Sequence, residues 1–358
     1  MKFFLCALLL IFLSTRIYAQ MDSSALHYAF SGYAESYYGY DISNPASGNR
    51  PSFFYSHARH NEFNLNLAYL KGSVSAQHVR GNLAFMAGTY ANANLAAEPG
   101  TLKNVYEANV GIGTGPTEKG ELWLDLGIFS SHIGFESAVG KDCWTLTRSI
   151  AAENSPYYEA GLKISYASKN QKWLLSSLLL NGWQRIQREA NDLPLASGLQ
   201  IQYKPTARIT LNSSSFAGEV RPGGTERQRL FHDFYGIFQF TDRFGLTLGL
   251  DTGWEWNNRN KDAADVWYSP QAVLRYTVND RLAIAARAEY YDDKKGVIIG
   301  QRFQTSGFSL NIDRQIHRNA VWRIEGKILH SESDLFINRD GNPSSTNVAL
   351  TTVLALWF

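Results

Sequence analysis

From Thr346 to Phe358 the chain alternates without a break. Val348, Leu350, Thr352, Leu354, Leu356 and Phe358 share one face, and Ala349, Thr351, Val353, Ala355 and Trp357 share the other. Side chains on a strand change faces with period two, so this is a strand with one continuously apolar face. Left unpaired in water, such an edge invites aggregation. In a membrane barrel it pairs with the first strand and closes the wall.

The same alternation, broken by clusters of Gly, Pro, Asn and Asp, recurs upstream. It predicts strands at 27–39, 61–70, 74–90, 104–114, 121–130, 157–167, 172–184, 197–204, 208–219, 230–240, 244–256, 266–278, 282–292, 303–312 and 320–331, which with 346–358 makes sixteen. Connections alternate in length. Short ones are Lys71-Gly72-Ser73, 115–120, 168–171, 205–207, 241–243 and 279–281; long ones are 40–60, 91–103, 131–156, 185–196, 220–229, 257–265, 293–302 and 332–345. Short periplasmic turns alternating with long outer loops, with an even strand count, are the pattern of an outer-membrane barrel with both termini in the periplasm. The predicted fold is therefore all-β, a transmembrane antiparallel up-and-down β-barrel of about sixteen strands.

The faces agree with this. Phe63, Leu65, Leu67 and Tyr69 oppose Glu62, Asn64 and Asn66; Leu282, Ile284 and Tyr290 oppose Arg287 and Glu289; Trp322, Ile324 and Ile328 oppose Arg323, Glu325 and Lys327. Arg or Lys facing lipid at mid-bilayer costs roughly 2–4 kcal/mol, so these charges are expected in the lumen. Aromatics gather at strand ends: Tyr28, Tyr69, Tyr166, Trp173, Tyr203, Phe240, Phe244, Tyr276 and Trp357 beside the short turns, and Tyr38, Tyr90, Tyr106, Phe129, Trp183, Trp254, Trp256, Tyr268 and Tyr290 beside the long loops. Two interfacial girdles are expected from them.

The N-terminus adds a secretion signal over 1–19: Lys2, the apolar run Phe3 to Leu13, and Ala19 before a cleavage point at Gln20. Residues 20–358 then form a single barrel domain, with only Gln20 to Leu26 ahead of the first strand and so no N-terminal plug expected. Cys6 leaves with the signal and Cys143 remains alone, which excludes an intramolecular disulfide. Losing Lys2 and Arg16 lowers the 34 basic residues to 32, equal to the 32 acidic ones. A neutral chain argues against nucleic-acid binding. Aromatics at 13% with a mean hydropathy of −0.26 suit a wall that is apolar outside and polar inside.

Catalytic and metal signatures are weak. Gly111 to Gly115 lacks dinucleotide spacing and reads as a strand end. His57 and His60 lie three apart in a loop, without identifiable co-ligands, and Asn338 to Asn342 reads as a turn rather than a calcium loop. No cofactor and no metal is expected. The segment 131–156 is more informative. It is long for a compact protein and carries Glu136, Asp142 and Glu153 with Lys141 and Arg148. In a wide barrel such a loop can fold inward as a constriction whose charges set selectivity; the alternative is an outward surface loop.

Gly134-Phe135-Glu136-Ser137, Thr147-Arg148-Ser149, Pro156-Tyr157-Tyr158 with Gly161, Asn181-Gly182-Trp183 and Arg287 to Asp293 together resemble the "putative β-barrel porin" family, the OmpL-like outer-membrane porins of Gram-negative bacteria. The C-terminal strand is likewise similar to the signal read by the barrel assembly machinery, which makes Trp357 and Phe358 the expected assembly signal. The family resemblance implies an outer-membrane porin-like barrel and brings no catalytic residues and no substrate.

About sixteen strands leave a water-filled channel. The function expected is passive, weakly selective diffusion of small hydrophilic solutes, in contact with outer-membrane lipid. Its lining would be Glu35, Glu107, Asp125, Glu159, Lys163, Arg275, Arg287, Glu289, Arg323, Glu325 and Lys327, with the 131–156 loop as constriction. Two rivals stand beside it: an adhesion or scaffold barrel with a closed lumen, and a rim hydrolase using His132 or His232.

Overall fold

A computed structural model describes residues 25–189, 193–257 and 263–358. The signal read at 1–19 lies outside them. Sixteen strands form the wall: β1 His27–Asp41, β2 Phe63–Ser75, β3 Val79–Ala87, β4 Val105–Gly113, β5 Gly120–Ser130, β6 Tyr158–Ser168, β7 Trp173–Leu180, β8 Ala196–Thr206, β9 Ile209–Val220, β10 Arg227–Gln239, β11 Phe244–Asn257, β12 Asp265–Asn279, β13 Leu282–Asp293, β14 Phe303–His317, β15 Ala320–Ser331 and β16 Thr346–Trp357. Every strand pairs antiparallel with its sequence neighbour, and β16 returns to β1 with Tyr33 opposite Trp357 and Asp41 opposite Ala349. The ring is closed. No edge is left for another chain to join.

The alternation read from sequence is the alternation of faces. Along β16, Ala349, Thr351, Val353 and Ala355 are buried while Leu350, Leu354 and Leu356 are exposed on the outside. Phe30, at 81% exposed, and Phe63, at 87%, belong to an extensive apolar outer surface. Connections at one end are short, such as 76–78, 207–208 and 280–281; those at the other include 42–62, 88–104, 131–157 and 294–302.

Several details depart from the sequence reading. Lys71-Gly72-Ser73 is not a turn but part of β2, which runs on to Ser75. Thr89 and Tyr90 do not end β3; they open a short helix, α1 Thr89–Asn94, released from the wall by Gly88 at a positive φ of 131°. The faces of β2 also invert. Glu35 lies opposite Leu67 and Ser36 opposite Leu65, so Asn66 is an extra residue. Beyond this bulge Leu67 and Tyr69 turn inward, Tyr69 stacking on Tyr33 at 5.9 Å and on Tyr106 at 5.0 Å. Tyr106 is itself the extra residue of a second bulge, between Ala84 opposite Glu107 and Phe85 opposite Val105.

The girdles therefore lose members. Tyr69, Tyr90, Tyr106, Phe129, Trp183 and Trp357 all serve the interior. Tyr90 packs edge-on to Tyr157, Phe129 lies under the Lys163 ammonium, Trp183 packs on Phe216 and Phe231, and Trp357 faces Lys141. The remaining rings named above stay outside at the two rims. The interior is not empty at the long-loop end. Phe53 and Phe54 from the 42–62 loop, Ile133 and Ile150 from the 131–157 segment, and Phe216, Phe231, Trp267 and Phe303 from the wall form one apolar cluster.

Candidate functional site: a loop latched across the lumen

The 131–157 segment leaves β5, crosses the interior and returns to β6. It contains a one-turn 3₁₀ helix at Gly140–Asp142 and a short helix, α2 Ile150–Glu153, capped by the Ser149 hydroxyl accepting from the Ala152 N–H at 3.1 Å. Where it begins, His132 sits between the Glu159 carboxylate and the Ser215 carbonyl, each at 2.9 Å. Phe135 then packs on Tyr235 at 5.6 Å. The far wall takes over from there.

Inward charges of β13 and β15 meet the loop's backbone. Arg287 donates to the Thr145 hydroxyl at 2.8 Å, the Thr147 carbonyl at 2.7 Å and the Thr147 hydroxyl at 3.0 Å. Its guanidinium is ringed by Glu325 at 3.2 Å, Glu289 at 3.3 Å and Glu136 at 3.4 Å. Glu325 accepts from the Thr147 N–H at 2.6 Å, and Glu289 from the Ile150 N–H at 2.6 Å. Lys327 bridges Glu289 at 2.8 Å to the Arg148 carbonyl at 3.2 Å. Arg323 donates to the Gly140 carbonyl at 2.6 Å and the Cys143 carbonyl at 3.0 Å while gripping Asp313 with two nitrogens, at 2.6 and 3.2 Å. Asn311 accepts from the Leu146 N–H at 3.1 Å. All five wall charges, Arg287, Glu289, Arg323, Glu325 and Lys327, are at most 6% exposed. They face loop, not water. Charges taken from water repay desolvation only when each is paired and hydrogen-bonded; each residue of this set is, although Arg287 Nε and Glu289 Oε1 are held by ion-pair contact alone.

The loop also braces itself. Arg148, wholly buried, donates to the carbonyls of Ser137 at 2.6 Å, Ala138 at 2.9 Å and Leu146. Glu136 accepts from the Ser149 N–H at 2.9 Å and from its hydroxyl. Cys143 donates through its thiol to the Ser137 carbonyl at 3.3 Å, and burial pushes that thiol above its ordinary pKa. Lys141 and Asp142 pair at 2.6 Å at the loop's most extended point, close to Trp357.

A second loop, 42–62, is stapled to the first. Glu153 accepts from the Tyr55 N–H at 2.8 Å and the Ser56 N–H at 3.2 Å; burial raises its carboxyl pKa, with these donors and Arg148 pulling the other way. His57 meets Glu35 at 2.9 Å inside the barrel, and burial lowers the imidazole's pKa despite that partner. Glu35 further accepts from Asn66 at 2.7 Å and from the Tyr33 hydroxyl.

Other inward charges are wetter. Lys71 pairs with Glu107 at 2.5 Å, and Arg80 holds Asp125 at 2.7 and 2.5 Å. Their cationic side chains remain 26% and 33% exposed. Lys163 lies half-buried over Phe129 at 4.4 Å, opposite Asp125 in register, and Arg275 is 3.8 Å from Asp313. All eleven wall residues read from the sequence thus lie on the inward face, but in two populations: one buried against the loops, and one of partly exposed cations with their carboxylate partners. Lys71, Arg80 and Asp313 were missed. Lys71 falls in a stretch whose Gly72 reads as a turn. Arg80 and Asp313 follow the same period-two rule as their neighbours Asn82 and Asn311, so that signal was available.

The histidines are occupied structurally. His60 accepts from the Asp41 N–H at 2.9 Å, and His232 pairs with the Ser215 hydroxyl at 2.8 Å on the outward face, apart from the His132–Glu159 pair inside. Among the described residues no group of three or more His, Cys, Asp or Glu is placed to hold a metal. Asn338 to Asn342 turns a two-residue hairpin, Phe336–Ile337 with Pro343–Ser344. At the C-terminus the Phe358 N–H donates to the Gly32 carbonyl at 3.1 Å and the Gly32 N–H to the Phe358 carbonyl at 3.2 Å, which completes the seam.

A closed sixteen-stranded antiparallel barrel with alternate short turns and long loops, one of them inside, is the architecture of an outer-membrane porin-like channel. The chain belongs to the family described as "Putative beta-barrel porin-2, OmpL-like", whose profile matches residues 27–358. No curated protein matches it. Among solved structures it is similar to an anion-selective porin from Comamonas acidovorans (TM-score 0.62, 11% identity, 93% of this chain and 100% of that one). It is also similar to the outer-membrane channel DcaP of Acinetobacter baumannii (0.60, 10%, 93% and 98%) and to OmpT of Vibrio cholerae (0.59, 9%, 94% and 99%). At such identities the likeness is one of fold.

Proposed function

We propose that this outer-membrane channel passes small hydrophilic solutes by passive diffusion, without enzymatic chemistry and with weak charge selectivity. The observation that carries the reading is the 131–157 segment seated across the lumen by charged wall residues: it narrows the barrel without sealing it with a separate domain. The partly exposed inward cations Lys71, Arg80, Lys163 and Arg275, with the carboxylates Glu107 and Asp125 beneath them, line the aqueous path on this reading, while Arg287, Glu289, Arg323, Glu325 and Lys327 hold the constriction in place. Lys71 with Glu107 and Arg80 with Asp125 are cation–anion pairs, and the loop sets Glu136, Asp142 and Glu153 against Lys141 and Arg148. Balanced charges at such range leave little net field beyond a Debye length of ~8 Å. The short-turn end, with both termini, lies in the periplasm; the long loops face outward; lipid covers the outer wall; and the barrel assembly machinery reads Trp357 and Phe358.

Reconstitution in a planar bilayer under a salt gradient tests this. Discrete conductance steps with a small reversal potential are expected, and a strongly anion- or cation-selective potential would refute weak selectivity. The tight seating of Phe53, Phe54 and Ile150 among wall aromatics favours a second reading, a closed-lumen scaffold. Folded protein that inserts and never conducts would establish that one instead.

A further inference from the structure

At the short-turn end the lumen holds a cavity of about 260 Å³ under the tip of the constriction loop. At ~30 Å³ per water, that is room for roughly nine waters or one small organic solute. Its charged lining is Lys141, Arg275, Arg281 and Arg323 against Asp142, Asp280 and Asp313, an excess of one positive charge.

Their pairing is uneven. Lys141 is committed to Asp142 at 2.6 Å. Arg323 takes both oxygens of Asp313 and spends its remaining donors on the loop carbonyls of Gly140 and Cys143. Arg275 reaches the same Asp313 only at 3.8 Å, beyond hydrogen-bond distance, with its side chain 31% exposed toward the cavity. Two guanidiniums share one carboxylate, and the second has no acceptor of its own among the described residues. Arg281 and Asp280 sit exposed in the turn beside it and offset each other. The excess charge therefore lies at Arg275. The apolar part of the lining is Ala283, on the strand next to Arg275, with Val321 and Trp357.

We propose that this cavity is a binding site for a short-chain monocarboxylate, its carboxylate held by the Arg275 fork and its hydrocarbon end lying against Ala283, Val321 and Trp357. A guanidinium presents two parallel N–H donors that match a carboxylate or a phosphate. One negative charge completes the local balance, and an apolar tail matches the apolar part of the lining; inorganic phosphate brings up to two charges and no tail. A concave, low-dielectric wall strengthens the attraction. The site depends on the fold and on Arg275, and it stands whether or not the barrel conducts.

Propionate is the probe. The full barrel, purified in detergent, is titrated with sodium propionate at fixed ionic strength, following tryptophan fluorescence (Trp357 lines the cavity) and calorimetry. Inorganic phosphate and sodium chloride run in parallel. Saturable propionate binding is expected, at least tenfold tighter than phosphate, weakened tenfold or more in Arg275→Gln and several-fold in Arg275→Lys. Ala283→Leu, which fills the cavity without touching a charge, abolishes it and covers the case in which Arg275→Gln does not fold. Arg208→Gln, on an exposed short turn away from the cavity lining, leaves it unchanged. The proposal is overturned by non-saturable propionate signals, by equal binding in Arg275→Gln or Ala283→Leu, or by tighter phosphate binding. A barrel that conducts without binding propionate sinks only this site; one that binds and never conducts sinks only the channel.

Discussion

Replacing Arg287 with glutamine should unseat the constriction. Arg287 bridges a carboxylate on the loop, Glu136, to two on the wall, Glu289 and Glu325, and also donates to Thr145 and Thr147. Glutamine removes the positive charge and leaves Glu136 facing Glu289 and Glu325, so attraction becomes repulsion, with Lys327 the nearest remaining counter-charge to Glu289. Removing one partner of a buried pair costs about 3–5 kcal/mol. At 1.4 kcal/mol per tenfold, the ratio of seated to released loop falls by roughly two to three and a half orders of magnitude.

Cys143 reports the release. It lies two residues from Thr145, is 4% exposed, and has a thiol held protonated by burial, so it should react slowly in the native barrel. In Arg287→Gln its alkylation should accelerate at least a hundredfold, and channel conductance should rise or flicker as the loop leaves the lumen. Arg208→Gln breaks an exposed pair with Asp242 between two short turns and should change neither. If the Arg287 variant migrates as a folded, heat-modifiable barrel with native Cys143 reactivity and native conductance, Arg287 does not hold the loop.

The 42–62 loop should loosen on acidification. The His57 pKa is depressed below 6.5, so the stability it contributes is complete above about 6.5 and is lost as pH falls through the folded value. Groups facing it are Glu35, Arg148, Arg50 and Tyr37. Hydrogen-exchange protection of Phe54 to Ala58, corrected for the intrinsic rate, should fall between pH 7 and 5 in the native chain and not in His57→Gln; an equal fall in both removes His57 as the cause. Orientation can be tested in a Cys143→Ser background: cysteines at Gly223 or Gly341 should label on intact cells with an impermeant thiol reagent and those at Lys119 or Asp280 should not, and the reverse pattern inverts the topology. Deleting Trp357 and Phe358 removes the backbone pair with Gly32 and should cut assembled barrel far more than Asp340→Ala in an exposed turn, a difference that outer-membrane yield measures directly.

Strands were legible because the constraint that writes them is local. A wall with an apolar outside and a polar lumen forces period two on every segment, and all sixteen strands fall where the sequence shows that period. The errors sit where one residue breaks the period. Asn66 and Tyr106 each add a residue to one strand, and nothing in the run Asn64 to Tyr69 marks the inserted one, because Leu67 and Tyr69 are as apolar as a lipid-facing pair would be.

The latch was illegible for a different reason. Period two places Arg287, Glu289, Arg323, Glu325 and Lys327 inward, and an inward charge is equally well satisfied by water or by a loop's backbone. Which partner it takes is decided 178 residues away for Glu325, by the Thr147 N–H, and 139 away for Glu289, by the Ile150 N–H. A backbone amide has no sequence signature. What the sequence does carry is an asymmetry in the charges themselves. Lys71 with Glu107 and Arg80 with Asp125 are simple pairs reaching across one intervening strand, their cations partly exposed to water. Around Arg287 three carboxylates and Lys327 crowd one buried point, and wall residues alone do not satisfy their donors and acceptors. Charge of that density inside a barrel calls for hydrogen-bond partners from elsewhere in the chain, and the 131–157 segment, with Thr145, Thr147 and free backbone N–H groups at its centre, supplies them.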